Sequence, residues 1–452
     1  MIKKIIKYLF ILVFILVLLA SAAAFGIYRW AAQDLPDYRS ITDYNPPLVT
    51  RVMARDNKIL GYFYREKRFL ISLNEVSPWV TKAFLAAEDS GFYQHEGVDL
   101  MGIVRAAIQN FQAGEIVQGG STITQQVIKS LLLTPERSYA RKIKEAILAY
   151  RLEKHLTKDE ILTIYFNQIY LGAGTYGVEA AARDYFARPA SELTLAQAAL
   201  IAALPKAPSR LNPYRNPMGA RQRQKYVLSR LRDLEWITAE QYQQALNELL
   251  VYQKMENPSW KTGPFYLEEV RRQLIERFGE KKVYEGGLLV NTAADFKHLE
   301  AAQKALKSGL EASSKRRGWQ GPLDNIAPED QKAFLQQMDV SMDELEPGDW
   351  IRVLVQRVDK SKAVAGFGSE KGEISVETMA WARKPDPSKA PEEVRDIRDA
   401  TRVLNTGDVV WASVVQKPDQ DEDEKIWQLA LEQKPRVQGA FLSADPVTGD
   451  VL

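Results

Sequence analysis

The sequence predicts a mainly α-helical domain behind an N-terminal transmembrane helix, followed by a smaller β-rich domain. Three observations carry this expectation. Residues 8–28 form an uncharged run dominated by Leu, Ile, Val, Phe and Ala, about the length that crosses a bilayer core as a helix. Residues 77–250 read as helix almost throughout, with capping residues ahead of apolar periodic segments. Beyond Trp350 the pattern changes to short runs rich in Val and Ile, separated by turns that carry Gly and Asp.

Whole-chain composition narrows the class before any motif is read. A length of 452 residues suggests more than one domain. Sixty basic residues against 58 acidic ones leave a near-neutral balance, so no nucleic-acid partner is expected. The absence of cysteine rules out disulfides, thiolate zinc sites and a cysteine nucleophile. The three histidines, His95, His155 and His298, lack metal-ligand spacing, which argues against a zinc enzyme.

Residues 1–35 read as a cytoplasmic tip and transmembrane anchor. Lys3, Lys4 and Lys7 precede the apolar run, and positive charge stays on the cytoplasmic side. Everything after Arg29 is then extracytoplasmic. A cleaved signal peptide is the rival reading, because Ala22, Ala23 and Ala24 are small. Its apolar region is usually about 7–15 residues, and this run is longer, which favours a retained anchor.

Residues 36–75 read as an extended linker with a hairpin over 49–63 around an Asp56-Asn57 turn. The helical domain follows at 76–250. Ser77-Pro78 is a cap followed by a proline at the first helical position. Thr157 to Glu160 matches a capping box, and Thr194 and Thr238 are further N-cap candidates. Residues 251–300 read as a linker helix, over 264–278, and a strand, over 286–292. Residues 301–435 hold the short strands, at 350–358, 363–367, 373–376, 409–415 and 427–431. Turns such as Pro347-Gly348-Asp349 and Thr406-Gly407-Asp408 divide them. Five short strands at this spacing suggest a small barrel of OB-like form. The acidic run 419–424 reads as a solvated hairpin tip.

Four clusters in the helical domain carry candidate chemistry. Glu88 and Asp89 follow an apolar helix and open the segment Phe92, His95, Gly97. A carboxylate partly desolvated at a helix end has a raised pKa and suits a general base, although a solvated helix end looks the same in sequence. Gly119-Gly120-Ser121-Thr122-Ile123-Thr124-Gln125-Gln126, followed by Lys129, frees backbone donors ahead of a helix start, as anion sites do. An ordinary loop-to-helix junction is the plain alternative. Arg141 and Lys142 lie one turn from Glu145, so cations and carboxylate share a helix face, as surface ion pairs also do. Tyr165-Phe166-Asn167 through Gly172 is by default core.

Together these clusters resemble the signature set of the peptidoglycan glycosyltransferase family. The family pattern E-D-x-x-F-x-x-H-x-G falls on Glu88 to Gly97, and G-x-S-T-I-T-Q-Q on Gly119 to Gln126. R-K-x-x-E falls on Arg141, Lys142 and Glu145, and Y-x-N-x-x-x-x-G on Tyr165, Asn167 and Gly172. A final R-x-x-x-V-L falls on Arg223, Val227 and Leu228. Residues 45–250 carry the likeness. It extends through Gly286-Gly287-Leu288 and residues 437–452, so the whole chain resembles class A penicillin-binding proteins of the 1A type. No S-x-x-K serine occurs anywhere, whereas transpeptidases need one. Residues 436–452 are accordingly expected to be the start of a missing transpeptidase domain. These 452 residues should take no covalent label from a fluorescent penicillin, and a labelled band competed away by unlabelled drug would overturn that.

The resemblance implies a lysozyme-like fold for the helical domain and a definite chemistry. Lipid-linked disaccharide-pentapeptide, lipid II, would be polymerised onto a nascent glycan chain with inversion and loss of polyprenyl pyrophosphate. Glu88 would be the general base, and Glu145 would orient cations or a metal. Lys129, Arg141 and Lys142 would neutralise the pyrophosphate, with a divalent metal such as Mg²⁺. Arg105 and Gln109 would hold the donor, while Ser121, Thr122, Gln125 and Gln126 line the cleft. Asp89, Asn167 and Arg223 complete the expected substrate-binding set. The implied location is the inner (cytoplasmic) membrane, single-pass, with the body in the periplasm and cell-wall synthesis proteins as partners. The rivals are a membrane-bound lytic transglycosylase, which has no pyrophosphate to neutralise, and a non-catalytic cell-wall scaffold.

Overall fold

The computed structural model describes residues 44–113, 119–133, 138–255, 257–338, 345–418 and 425–452, with scattered positions before residue 44. It divides into two compact units, Met1–Thr292 and Ala293–Leu452. Much of the predicted span 8–28 lies outside the described residues. Positions described within it, such as Phe10, Phe14, Leu18 and Leu19, are helical and exposed. Among the described residues no helix is long and apolar enough to cross a membrane.

In the first unit, β1 (Thr50–Met53) and β2 (Ile59–Phe63) form the antiparallel hairpin expected from the sequence. Asn57 turns it at φ 63°, a left-handed conformation that asparagine tolerates. The helices follow as α1 (Pro78–Glu88), α2 (Leu100–Ala113), α3 (Ile123–Leu132), α4 (Tyr139–Glu153) and α5 (Lys158–Gln168). Then come α6 (Val178–Phe186), α7 (Leu195–Ala203), α8 (Pro217–Asp233) and α9 (Ala239–Asn247). The unit closes with α10 (Pro264–Phe278), α11 (Glu280–Glu285) and β3 (Leu289–Asn291), which pairs in parallel with β1.

The predicted caps begin these helices. Thr157, Thr194 and Thr238 each accept from the backbone N–H three residues on, with Glu160, Gln197 and Gln241 closing the boxes. Helix α7 is central, buried at every position from Ala196 to Ala203. Its alanines let α1 and α8 pack close on it. Phe84 of α1 is fully buried and meets Tyr165 and Phe166 of α5 edge-on, at 5.9 and 5.3 Å between ring centroids. The C-terminal end of α1 is thereby held rigidly, and the first signature cluster begins at that end.

The second unit opens with α12 (Phe296–Arg316), a 21-residue helix that the sequence reading did not anticipate. Only Ser314 of it is buried, yet Asp295 caps its start and Phe296, Leu299, Leu306 and Leu310 recur at helical spacing, so the signal is present in the sequence. β4 (Asp324–Asn325) and α13 (Gln331–Gln336) precede a five-strand barrel. Its strands are β5 (Trp350–Val358), β6 (Lys362–Phe367), β7 (Glu370–Ser375), β8 (Asp408–Gln416) and β9 (Ile426–Glu432). β5, β6 and β7 form an antiparallel meander. β9 pairs in parallel with β7, and β8 closes the ring between β9 and β5. Alternate residues such as Val353, Val355, Ala363, Ala365 and Ile374 fill the interior. β7 begins three residues earlier than the sequence run suggested. The acidic run 419–424 lies outside the described residues.

Candidate active site

Helix α1 ends at Glu88, where the chain turns out of helical geometry at Asp89. The Glu88 side chain is half-buried, and its Oε2 accepts a hydrogen bond from Gln126 Nε2 at 2.9 Å. Burial pushes its pKa above the ordinary glutamate value. The Gln126 bond and the fields of Arg223 and Lys206 offset part of that rise, and Asp89 adds to it. A carboxylate raised by desolvation, yet steered by one amide donor, has the makings of a general base.

Asp89, expected to bind substrate, lines the same cleft as Glu88 with its carboxylate engaged inside the protein. Oδ2 accepts the Ile123 N–H at 2.9 Å, and both oxygens lie within reach of His95 Nε2, at 3.0 and 3.2 Å. Asp89 therefore caps the start of α3 and fastens the first cluster to the second. Thr122 and Gln125, also expected in the cleft, form a reciprocal capping box at the same helix start, with bonds of 3.2 and 3.0 Å. Thr122 Oγ1 further donates to the Gly97 carbonyl at 2.7 Å. Gly97 has φ +83°, and a Cβ there would lie 2.6 Å from the backbone of α4. Only glycine fits where the first cluster meets that helix.

The third cluster joins through Lys142. Its Nζ donates to Ser121 Oγ and to Glu145 Oε2, both at 2.7 Å. Arg141 Nε lies 3.0 Å from Glu145 Oε1. Glu145 is 2% exposed and holds a cation on each oxygen, so its role is to position Arg141 and Lys142. Asn167 departs from expectation as well. Its side chain accepts from Ile71 N–H and donates to the carbonyls of Ile71 and Thr163. Oxygen and nitrogen of the amide are both engaged in bracketing a chain segment, and the residue is 3% exposed.

Arg223 lies with its guanidinium 3.9 Å from the centre of the Tyr226 ring and adds its field at Glu88. Lys129 stands exposed in the last turn of α3. The Gln109 side chain lies outside the described residues.

Glu88 and Asp89 of the first cluster and Ser121 and Thr122 of the second meet at an open cleft of about 380 Å³. Glu88, Asp99, Arg105, Gly120, Ser121 and Arg230 are among the residues lining it. The first two clusters line it directly, and the third reaches it through the Lys142–Ser121 bond. Arg230 was missed in the sequence. It stands seven residues after Arg223 on α8, a spacing that puts both on one helix face, and that signal was there to be read. The sequence left open which residues would hold a divalent metal. Among the described residues no group of three or more His, Asp or Glu side chains forms a metal-holding cluster. Glu145 is already occupied by cations. Among the described residues the donor set does not fit a protein-held Mg²⁺.

Residues 56–232 match the family model described as Transglycosylase, and residues 319–437 match the Penicillin-binding protein OB-like domain. The chain is 38% identical over 434 residues to Penicillin-binding protein 1A of Rickettsia bellii, an alignment covering 95% of this chain and 52% of that protein. It is 35% identical over 455 residues to Penicillin-binding protein 1A of Escherichia coli, covering 99% and 52%. The Aquifex aeolicus protein of the same name is 44% identical over 283 residues, covering 63% and 39%. The chain thus spans about half the length of the curated relatives it matches. Residues 56–232 are thus similar to the transglycosylase family, and residues 319–437 to the OB-like domain of penicillin-binding proteins.

Proposed function

We propose that this chain is a peptidoglycan glycosyltransferase that polymerises lipid II into glycan strands. The observation that carries the reading is Glu88, a partly desolvated carboxylate steered by Gln126 in a cleft. That cleft is linked through Ser121 to a cation pair held on buried Glu145. Glu88 takes the proton of the acceptor sugar's 4-hydroxyl as that oxygen attacks the donor's anomeric carbon. The carbon inverts, and polyprenyl pyrophosphate leaves with its electron pair. Arg141 and Lys142, with Lys129 nearby in sequence, stabilise the departing anion, so no protonated acid is needed on that side. A divalent ion such as Mg²⁺ would enter as a counter-ion of the pyrophosphate itself.

A lytic transglycosylase would use a single glutamate and has no leaving anion for the pair on Glu145 to meet. A non-catalytic scaffold has no use for a carboxylate kept half-buried in an open cleft. Incubating the purified chain with lipid II and measuring product chain length tests the reading, and absence of polymer from the intact chain would refute it.

The substrate's polyprenyl tail stays in a bilayer, so the cleft must work at a membrane surface. The inner membrane, with the N-terminus cytoplasmic and the body periplasmic beside other cell-wall synthesis proteins, fits residues 1–35. Helix α2, which carries Arg105 into the cleft, supports this independently. Leu100, Val104, Ile108 and Phe111 share one of its faces and are 53–89% exposed. Replacing Ile108 and Phe111 with Ser, in a chain lacking residues 1–35, should weaken sedimentation with liposomes and leave the melting temperature unchanged. Each inserted side chain contributes about 1.5–3 kcal/mol. Unchanged liposome binding would remove α2 from the membrane surface.

A further inference from the structure

The charged groups lining the cleft are mostly accounted for within the protein. Asp89 is held by His95 and the Ile123 N–H. Asp99 accepts from the Gly102 N–H at 2.7 Å and faces Arg105 at 3.6 Å. Glu88 accepts from Gln126. Arg230 is different: it is half-buried on the cleft wall, and among the described residues its guanidinium has no hydrogen-bond or ion-pair partner. A partly desolvated guanidinium without a counter-charge is poised for an anion. The same cleft is lined by Arg105 and by the Gly119-Gly120-Ser121 loop ahead of α3, the kind of junction that receives phosphate oxygens.

We propose that Arg230 is a substrate-binding residue that grips anionic oxygen of the lipid-linked diphosphate. This rests on the glycosyltransferase reading for the identity of that diphosphate. The planar guanidinium fork matches two phosphate oxygens at once, which an ammonium cannot do. The competing explanation is structural. Arg230 stands in the last turn of α8 with Arg232, where a cation complements the helix dipole.

Binding to the full-length, detergent-purified chain separates these explanations. One probe is a polyprenyl diphosphate in micelles, which has no peptide. The other is soluble disaccharide-pentapeptide, which has carboxylates and no diphosphate. Arg230→Ala should weaken binding of the polyprenyl diphosphate about tenfold or more and leave the disaccharide-pentapeptide unaffected. The melting temperature should hold within about 2 °C, and Arg230→Lys should recover part of the affinity. Unchanged affinity for the diphosphate would overturn the proposal, as would a loss seen only with the peptide probe. A fall in melting temperature that Lys repairs without restoring affinity would do the same and leave the dipole role. Whether the wild-type chain polymerises lipid II is read in the separate chain-length assay. Failure there refutes the glycosyltransferase reading and leaves the binding result to stand.

Discussion

Glu88→Gln should abolish polymerisation, by about 10²–10⁴-fold, while the protein becomes no less stable at neutral pH and more stable if anything. The two halves follow from one fact. The amide keeps the shape and can still meet Gln126, but it cannot take a proton. Burial raises the Glu88 pKa in the folded chain, so the folded state favours the protonated form relative to the unfolded one. That preference contributes stability below the unfolded pKa, and the contribution is lost as pH rises through the folded pKa. A neutral Gln escapes the loss. The same direction places the acid limb of the wild-type kcat/KM profile above the ordinary glutamate range. Chain-length assays beside thermal melts at two pH values check this. Turnover above a few per cent of wild type would take the base role from Glu88.

Lys142→Ala should cost about a hundredfold in polymerisation, the scale for removing one preorganised donor to a developing anion. The loss should fall on use of the lipid diphosphate and leave the fold in place. Lys142 is exposed, and Arg141 remains on Glu145 when it is gone. Removing it therefore does not strand a buried carboxylate, which would be the expensive outcome. The mutation also frees Ser121, and a small rise in mobility of that loop is expected. A melting temperature that falls in step with activity would mean that Lys142 belongs to an ion-pair ladder.

The arrangement also shows why adjacent residues divide so sharply in role. Glu88 and Asp89 are neighbours in sequence, yet only Glu88 keeps an oxygen for chemistry. Asp89 is consumed by the Ile123 N–H and His95. Its capture stiffens the turn that aims Glu88. His95 in turn stands near a charged pair, with Nδ1 3.4 Å from Lys158 Nζ, and Lys158 paired to Glu153 at 2.7 Å. A network this well satisfied is rigid, and rigidity at the base is what a preorganised site needs.

The amino-acid sequence by itself determined what depends on near neighbours. Thr157, Thr194 and Thr238 start helices because their partners stand three residues away. Asp56-Asn57 turns a hairpin, and alternating runs after Trp350 make strands, for equally local reasons. The signature clusters and their order were legible too, and with them the likeness to the transglycosylase family. What only the tertiary structure decided is which polar side chains the fold itself engages and which it leaves open at the cleft. Asn167 is claimed by Ile71, 96 residues away, and Asp89 by Ile123, 34 residues away. Arg230 reaches the wall of a cleft that Glu88 also lines. A side chain's hydrogen-bonding capacity is finite, and whether the fold or a ligand uses it depends on groups that come near only when the chain closes on itself.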